Sequence, residues 1–593
     1  MAQLNLDVVC EIVKQVHPSD VQTLSGLALL CSSANHTARS ILFARVRWPH
    51  ENRHDPQSGL HFFPESLWPY FKSFHLDWPD HWPDASPPLF GTKPLGRGVY
   101  YPKYLSKLES ALPSMCSISM FQITAPFYPP TPLLGSLVQC RNIKDLRITD
   151  TPLYTLILPN LPVGFALERI TLIPVGEALR VGEGPFDKRF HDVTYYTREY
   201  RKRHWNDAHG RYVGLRYLLQ LGTPMFLRYI QISGNFCSLG DFVEVDTWPV
   251  LETLVLTGPA PEKTTNASLA VIVNRMPRLV DLRVLLSGKP TEQPFSLISG
   301  YHLAMEDAAP TVFSQLKNLA VSNVVKLDDI LHYTTSLERL AVIAIINQPR
   351  IPIAISRSEL DKVILDLEEG GSGKTLKQIK VMMEDELDVP LFVNLGRACP
   401  ALEEVEIELC GYRNGDVGFE WTDYGDVFST YAHLRSLRIG IPFATSITEP
   451  EDPPHFAAHH HHQPNGPSPN TTITKIHPPP FSVHPVDTTD RLALATYLAS
   501  RIPTLEHIGF EYRCRTAFVR YEDRWVDWEI ERRPLVTGVY DGDAADHDSL
   551  GPNDGVTTHG NNLDWDEDVK MWKLQETWYV FPEVWKREEL FGS

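Results

Sequence analysis

The chain of 593 residues lacks three features that would place it in a specialised class. Its eight cysteines include no Cys-x-x-Cys pair, which predicts neither a zinc ribbon nor a disulfide framework. No apolar run approaches the roughly 20 residues that cross a bilayer, so we expect no membrane span. The first residues contain Asp7 and Glu11 and lack a basic flank, so we expect no secretory signal. These absences together predict a cytoplasmic or nuclear protein with reduced thiols.

Positive charge is also in short supply. Lysine and arginine number 55 against 73 aspartates and glutamates, a net charge of −18. This balance argues against nucleic-acid binding, which needs cations to displace the counterions of the phosphates. No G-x-S-x-G or H-E-x-x-H motif occurs. The stretch GGSGKT at 370–375 resembles a phosphate-binding loop, but Glu368 stands where that motif requires glycine. We therefore predict a non-enzymatic protein with no catalytic residue, cofactor or metal site.

A strand-sized pattern, apolar-x-x-apolar-x-apolar, recurs along most of the chain. Several neighbouring copies are separated by 21–28 residues, within the range of 20–29 residues that is typical of leucine-rich repeats. Two weaker copies come first, at Phe71-Phe74-Leu76 and Met115-Ile118-Met120. Eleven clear copies follow, at Ile143-Leu146-Ile148, Leu167-Ile170-Leu172, Leu227-Ile230-Ile232, Leu251-Leu254-Leu256, Leu279-Leu282-Val284, Leu316-Leu319-Val321, Leu337-Leu340-Val342, Leu376-Ile379-Val381, Leu402-Val405-Ile407, Leu434-Leu437-Ile439 and Leu505-Ile508-Phe510.

Helical stretches that end in proline precede several of these strands, for example ASLAVIVNRMP before Leu279 and FVNLGRACP before Leu402. Proline ends a helix but is compatible with entry into an extended segment. Each unit therefore reads as helix, turn and strand, which predicts an α/β fold. The chain resembles a divergent leucine-rich-repeat solenoid, with parallel strands on the concave side and helices outside. A set of doubly wound α/β domains is the alternative.

Three short helices are predicted before the repeats. Val9, Ile12, Val13 and Val16 recur at helical spacing, which predicts a first helix from Asp7 to Val16. A second helix follows the Pro18-Ser19-Asp20 stop and is predicted to run as far as Cys31. A third is predicted to carry apolar residues up to Val46. Because three helices of about 10 residues cannot bury this much apolar surface by themselves, something else must cover them.

The segments LNLDVVCEIV and LSGLALLCSSANHTARSILFARVRW resemble an F-box of the fungal type. The matching residues include Ala38, Leu42, Phe43 and Val46, while Asn5 and Ala34 depart from the usual pattern. The resemblance implies docking on the Skp adaptor of a cullin and RING ubiquitin ligase. A helical cap that closes the repeat array is the alternative. The residues that the resemblance assigns to adaptor binding are Leu4, Leu6, Val9, Ile12, Val21, Leu24, Leu27 and Leu30.

The residue between the last two apolar positions of each copy is predicted to point into the concave space. These residues carry no uniform charge, so they do not indicate one class of ligand. The concave wall as a whole is nevertheless the predicted substrate surface, since solenoids bind along it. The charged members, and hence the candidate substrate contacts, are Arg147, Arg283, Lys380, Glu406 and Arg438.

The predicted domain organisation is an F-box-like segment at 1–50, a solenoid at 65–445, an insertion at 446–485 and a last repeat with its cap at 486–593. The insertion is rich in proline and histidine, and its composition predicts disorder. An acidic, glycine-rich loop is predicted at 541–570. The basic and aromatic stretch at 191–205 is predicted to be a solvated surface segment.

These observations predict a substrate-recognition adaptor. The resemblance implies that the first helices bind the Skp adaptor, and the repeats are expected to bind a protein substrate. The alternative function is a leucine-rich-repeat interaction scaffold without ligase association.

Overall fold

The computed structural model describes part of the chain, and its residues divide into two compact units. The first unit contains the described residues up to Met383, and the second contains those from Leu387 to Trp578. The division lies inside the range 65–445 that the repeat pattern assigns to one domain. The described residues are 6–18, 20–49, 63–77, 105–124, 131–149, 166–173, 223–234, 236–261, 268–286, 294–298, 313–322, 325–327, 329–343, 354–383, 387–409, 421–440, 485–515, 521–532, 569–573 and 577–578.

The first unit begins with three helices, α1 (Leu6–Gln15), α2 (Val21–Leu27) and α3 (Ser32–Leu42). The carboxylate of Asp20 accepts a hydrogen bond from the backbone of Thr23 at 3.0 Å and caps α2. Hydrogen bonds from Thr23 also lower the pKa of Asp20. The three helices share a small core of Val9, Val13, Leu24, Ala34 and Ala38.

Two sequence expectations about this segment were wrong at its boundaries. The second helix ends at Leu27, and Cys31 caps α3 through its Sγ atom, 3.4 Å from the backbone nitrogen of Ala34. Val46 lies in a strand rather than in the third helix and pairs with Phe74. The parallel partner strand satisfies the backbone groups around Val46, which outweighs the helical spacing of its apolar neighbours.

A parallel sheet runs through the first unit, and its strands pair in chain order. β1 pairs with β2, and each later strand pairs with the next strand of this sheet, up to β13. β9 and β11 form a separate two-stranded sheet. The strands are β1 (Arg45–Pro49), β2 (Ser73–Asp77), β3 (Met120–Thr124), β4 (Asp145–Thr149), β5 (Arg169–Ile173), β6 (Tyr229–Ser233), β7 (Thr253–Gly258), β8 (Asp281–Leu286), β9 (Phe295–Ser296), β10 (Asn318–Ser322), β11 (Val325–Lys326), β12 (Arg339–Ile343) and β13 (Gln378–Met383).

Helices and short 3₁₀ segments lie between these strands. The capping box of Ser356 and Glu359 begins the longest helix between these strands, and Gly371, in a left-handed conformation with φ of 78°, ends it. The α-helices are α4 (Leu105–Ala111), α5 (Thr131–Gln139), α6 (Leu239–Val243), α7 (Leu269–Asn274) and α8 (Arg357–Gly370); the 3₁₀ segments are Glu65–Tyr70, Leu112–Ser114, Thr223–Met225, Ile330–Tyr333 and Ser372–Lys374.

The strand order distinguishes between the two folds that the sequence left open. A doubly wound sheet reverses its strand order at a switch point. The described sheet of the first unit has no such reversal. Because connections between parallel strands are right-handed, strands added in one direction place successive connections on the same face of the sheet. The fold is therefore α/β with a large, mostly parallel sheet built by successive addition.

The second unit combines parallel and antiparallel strands. β14, β15 and β16 are parallel, whereas β17 pairs antiparallel with β16, β18 and β19. The rings of Phe392 and Phe428 lie 4.8 Å apart in its core. The elements are α9 (Val389–Ala398), β14 (Glu404–Leu409), α10 (Trp421–Phe428), β15 (Ser436–Ile439), α11 (Pro485–Arg501), β16 (His507–Arg515), β17 (Tyr521–Arg532), β18 (Val569–Lys573) and β19 (Thr577–Trp578).

The last two residues of each of the eleven clear apolar triplets lie in a strand, the first lies just before that strand, and every one of these residues is buried. The weaker copy at Phe71-Phe74-Leu76 is also confirmed. The copy at Met115-Ile118-Met120 was placed in the wrong register. Phe121 pairs with Leu146 and Ile123 pairs with Ile148, so the triplet that matches the others is Ile118-Phe121-Ile123.

A charge ladder crosses the sheet of the first unit at the residue before each strand. The backbone N–H of each ladder residue donates a hydrogen bond to the carbonyl of the corresponding residue before the preceding strand. For example, the N–H of Glu168 donates to the carbonyl of Lys144 at 2.8 Å. Apart from the uncharged Val280, the side chains alternate in sign, and Glu338 lies 3.0 Å from Lys317 and 3.5 Å from Lys377. Hydrogen bonding to Lys317 lowers the pKa of Glu338. The ladder consists of Lys144, Glu168, Arg228, Glu252, Val280, Lys317, Glu338 and Lys377.

The helices of the described residues give no candidate for a membrane span, because none combines the necessary length with sufficient apolarity.

The close approach of the backbone at Gly234, after β6, to the backbone at Pro259, after β7, provides a test of the strand packing in the first unit. A Cβ atom there would lie 1.9 Å from the carbonyl oxygen of Pro259, whereas one at Gly26 in α2 would meet nothing within 4 Å. Gly234→Ala is expected to reduce the free energy of unfolding by about 1–3 kcal/mol in urea titrations. Gly26→Ala, the matched control, is expected to be neutral or slightly stabilising, since alanine favours helices. Equal effects of the two changes would contradict the packing described.

Candidate interaction surfaces

Exposed apolar side chains are concentrated on the first two helices and the turn after α2. Of the eleven large apolar side chains that are exposed in the described part of the chain, six lie between residues 6 and 30. Leu29 and Leu30 are 85% and 64% exposed. A concentration of exposed apolar side chains in one short segment makes that segment a candidate interaction site. We call this set the helical apolar face, and it consists of Leu6, Val8, Ile12, Val21, Leu29 and Leu30.

Helix geometry separates the helical apolar face from the core on α1. Val8 and Ile12 are four residues apart and therefore lie on one side of the helix. Val9 and Val13, one residue later in each case, lie on the side that is buried against the other helices. α1 is therefore apolar on two sides. The side with Val9 and Val13 packs in the core of the three helices, and the side with Val8 and Ile12 is exposed to solvent.

The eight residues predicted to bind the adaptor differ in their exposure to solvent. Leu6, Ile12, Val21 and Leu30 are exposed, whereas Val9 and Leu24 belong to the core of the three helices. Leu27 is partly buried against the same core, and Leu4 lies outside the described residues. Sequence reasoning missed Val8 and Leu29, although the four-residue spacing of Val8 from Ile12 was a signal that could have identified Val8.

The helical segment contacts the following chain through α3. The Nδ1 atom of His36 lies 2.9 Å from the hydroxyl of Tyr70, and the two rings meet edge to face at 5.2 Å. The backbone nitrogens of Lys72 and Ser73 donate to the carbonyl of Ala44. α3 therefore attaches the segment to the sheet, and the helical apolar face lies on α1, α2 and the turn that follows.

The predicted substrate contacts in the first unit lie in one register row. Neighbouring strands pair so that Arg147, Arg283 and Lys380 lie in one row across the sheet, together with the paired residue of each strand between them. Arg147 is partly exposed, whereas Arg283 and Lys380 are buried. We call this set the central row, and it consists of Arg147, Thr171, Gln231, Val255, Arg283, Ala320, Ala341 and Lys380.

A second row, two residues earlier in each strand, faces the same side of the sheet. Arg147 pairs with Asp145 of its own strand at 2.7 Å, and Arg283 pairs with Asp281 at 2.6 Å. Both pairs join residues that are two apart, the spacing that returns a strand to the same face. Sequence reasoning missed this leading row, although the two-residue period was the available signal. It consists of Asp145, Arg169, Tyr229, Thr253, Asp281, Asn318, Arg339 and Gln378.

Tyr229 of the leading row contacts both the neighbouring strand β5 and its own strand. The guanidinium of Arg169 lies 4.5 Å from the centre of its ring, and its hydroxyl donates to Gln231 at 3.0 Å. Burial is the main cause that raises the pKa of Tyr229, and nearby arginines oppose it. The guanidinium of Arg169 also lies 3.9 Å from the carboxylate of Asp145, so it is shared between the ring and this carboxylate.

The second unit places Glu406 and Arg438 in a comparable row with Asp527. Arg438 donates two hydrogen bonds to Asp527 at 2.9 and 2.8 Å and lies 3.5 Å from Glu406. Gly509 separates Arg438 from Asp527 in the register, and a Cβ atom there would lie 2.2 Å from the Asp527 carboxylate. Glycine at 509 therefore permits the bidentate pair across the intervening strand.

The phosphate-loop resemblance at 370–375 corresponds to a different local structure. A phosphate-binding loop connects a strand to a following helix. Here α8 precedes the glycines, and a 3₁₀ segment leads into β13. Ser372 is buried and donates its hydroxyl to the carbonyl of Leu331 at 3.1 Å. The stretch is thus a helix C-cap, and its amides do not cap a helix N-terminus as phosphate binding requires.

The predicted insertion, apart from Pro485, and the stretch 191–205 lie outside the described residues, as does 541–568 of the acidic loop. The helix α11 precedes the triplet that begins at Leu505, and β17 to β19 follow that triplet as antiparallel strands.

Comparison with known proteins identifies no relative: the chain matches no protein-family model and no curated protein.

Neighbouring residues of α1 test whether the helical apolar face is open. Ile12→Asp is expected to change the free energy of unfolding by no more than about 0.5 kcal/mol, because the side chain already meets water. Val13→Asp is expected to destabilise the three helices by at least about 2 kcal/mol, since it buries an unpaired carboxylate. Hydrogen exchange over residues 6–42 of the full chain measures both changes. Similar loss of protection in Ile12→Asp would show that this side is covered.

A double-mutant cycle tests the pair of Arg438 and Asp527. Asp527→Asn and Arg438→Gln are each expected to destabilise the second unit by about 1–3 kcal/mol, with a coupling of about 1 kcal/mol or more, because the pair is largely buried. The exposed pair of Lys144 and Glu168, at 2.7 Å, is the control and is expected to couple by less than about 0.5 kcal/mol. Equal coupling in the two cycles would contradict the assignment of Arg438 and Asp527 as a strongly coupled, largely buried pair.

Proposed function

We propose that the chain is a substrate-recognition adaptor of a Skp–cullin–F-box ubiquitin ligase. In this proposal α1 and α2 dock on the Skp adaptor, and the repeats hold a protein substrate. The observation that carries the proposal is the helical apolar face, because its side chains are exposed while α3 attaches the segment to the sheet. The F-box resemblance of the same residues supplies the identity of the partner.

The binding residues in this proposal are the exposed members of the predicted set together with Val8 and Leu29. Val9, Leu24 and Leu27 keep the helices packed so that the exposed side chains stand in a fixed arrangement. Preorganised apolar anchors of this kind bind with little loss of conformational entropy.

We further propose that the parallel strands within each unit are leucine-rich-repeat strands. Addition of strands in chain order, each with a buried apolar triplet, supports this assignment. The accessible substrate contacts are then Arg147, Glu406 and Arg438, which are partly exposed. Arg283 and Lys380 are buried and act through the packing of the central row.

The mechanism in this proposal is positioning. A substrate held on the repeats has a high effective concentration near the ubiquitin carried by the other subunits, which perform the transfer. The proposed compartment is the cytoplasm or nucleus, where thiols stay reduced. Burial raises the pKa of the Cys140 thiol to about 12, so this cysteine is unreactive in the fold.

A second candidate function is an interaction scaffold in which the helices only cap the sheet. The contact of α3 with Tyr70 and the pairing of β1 with β2 favour it, because they join the helices directly to the first strands. Deletion of residues 1–44 distinguishes the two functions. A cap deletion exposes the sheet and lowers its stability, whereas removal of a docking module leaves the sheet folded.

Adaptor binding by the purified full chain is the direct test. The chain is expected to bind the Skp adaptor in isothermal titration calorimetry, and Ile12→Asp and Leu30→Asp are each expected to weaken binding at least about tenfold, as loss of an interface anchor does. Val393→Asp, which changes an exposed apolar residue of α9, is the matched control and is expected to bind normally. An unaltered chain that does not bind the adaptor would refute the ligase assignment.

A further inference from the structure

Three side chains that sequence analysis did not connect meet beside the sheet of the first unit. Asp329, His332 and Asp366 each offer one ligand atom, and these atoms lie within 4.8 Å of one another. Among the described residues, this is the group of histidine, cysteine and carboxylate side chains whose geometry could hold a metal ion. The group contains an imidazole and two carboxylates, so its donors are one nitrogen and two oxygens.

Two rigid elements bring the group together. Asp329 stands immediately before the 3₁₀ segment Ile330–Tyr333, which contains His332, and Asp366 lies in α8. The elements pack so closely that a Cβ atom at Gly370 would lie 2.6 Å from the Cα of His332. Ser372 adds the hydrogen bond from its hydroxyl to the carbonyl of Leu331. The backbone therefore holds His332 and Asp366 in place without a metal, as a preorganised site requires.

The distance between two of the three ligand atoms suits a small divalent cation. Tetrahedral coordination at about 2.0–2.2 Å from the metal separates two ligand atoms by about 3.4 Å. The Nε2 atom of His332 and the Oδ1 atom of Asp366 are 3.5 Å apart. Asp329 is largely exposed, and its side chain can turn toward the other two without moving the backbone.

The charges around the group leave a place for a cation. The Asp366 side chain is only 8% exposed, and the partner found for its carboxylate is His332, whose ring carries full charge only when protonated. A lysine also lies at the group: the Nζ atom of Lys362 is 3.2 Å from Asp329. Lys362 is itself exposed, so a dication can displace it into water at little cost.

We propose that Asp329, His332 and Asp366 bind one Zn²⁺ ion, with a fourth position open to water. Zinc accepts this mixture of imidazole nitrogen and carboxylate oxygen. Magnesium and calcium need about six oxygen ligands, and three side chains with one imidazole do not supply them. The bound ion ties α8 to the 3₁₀ segment before β12 and stabilises the first unit in proportion to zinc occupancy. This inference is independent of the proposed ligase function.

The test uses the full chain, but the histidine run at 459–462 must be removed because histidine tracts capture metals. In the background His459→Asn, His460→Asn, His461→Asn and His462→Asn, calorimetric titration with ZnCl₂ is expected to show one saturable site. Asp366→Asn and His332→Asn in that background are each expected to weaken zinc binding at least about 100-fold. Asp361→Asn, on the same helix but paired with Arg357, is the matched control.

Thermal unfolding gives a second measurement. Zinc is expected to raise the unfolding midpoint of the background chain and of Asp361→Asn but not of the two ligand variants. If Asp366→Asn does not fold, the exposed Asp329→Asn variant replaces it and is expected to show the same loss of binding. Absence of a saturable zinc site, unchanged zinc affinity in the ligand variants, or equal affinity for MgCl₂ would each overturn the proposal.

Discussion

The structure depends on strands that cannot bury their apolar side chains alone. A strand of five or six residues with one apolar triplet has too little surface to fold by itself, and it is stabilised only when a neighbour with the same triplet pairs beside it. The apolar triplets therefore align across each unit in register, and all backbone pairings of the large sheet in the first unit are parallel. Helices and 3₁₀ segments alternate with these strands along the chain, and the apolar triplets are buried.

This constraint also determines where charge is tolerated. The charge ladder stands at the beginning of the strands, where side chains reach water and alternating signs meet between repeats. Each such exposed pair contributes only about 0–1 kcal/mol, so the ladder favours the correct register more than it stabilises the fold. Farther along the strands, Arg283 is buried and is compensated by Asp281 of the same strand, because a buried guanidinium without a carboxylate would be costly. A buried charged residue on the face of the sheet therefore contributes to packing through its ion pair, and this role comes before any role in binding a substrate.

The first helices obey a different constraint. Their core contains five small or medium apolar side chains, and this is too few to cover both sides of α1. The remaining apolar side chains therefore stay in water, and a partner that covers them gains the free energy of their burial. The interpretation as an adaptor rests on this imbalance, while the connection through α3 and β1 explains how the helices stay attached to the sheet.

The sequence by itself determined the strands, because apolar triplets have the same local period wherever they occur. Prediction from sequence was wrong where the local spacing fitted two structures. Val46 continues a helical pattern but pairs in β1. The triplet that begins at Met115 has the correct spacing but lies three residues before the triplet that is in register, which begins at Ile118. Only the tertiary structure decided which face of α1 is open, since Val8 and Val9 are equally apolar. Only the tertiary structure showed that Asp329 lies near Asp366 and that Arg438 pairs with Asp527. These residues are 37 and 89 positions apart in the chain. Their contacts depend on how the intervening helices and strands pack, and no local sequence pattern encodes that packing.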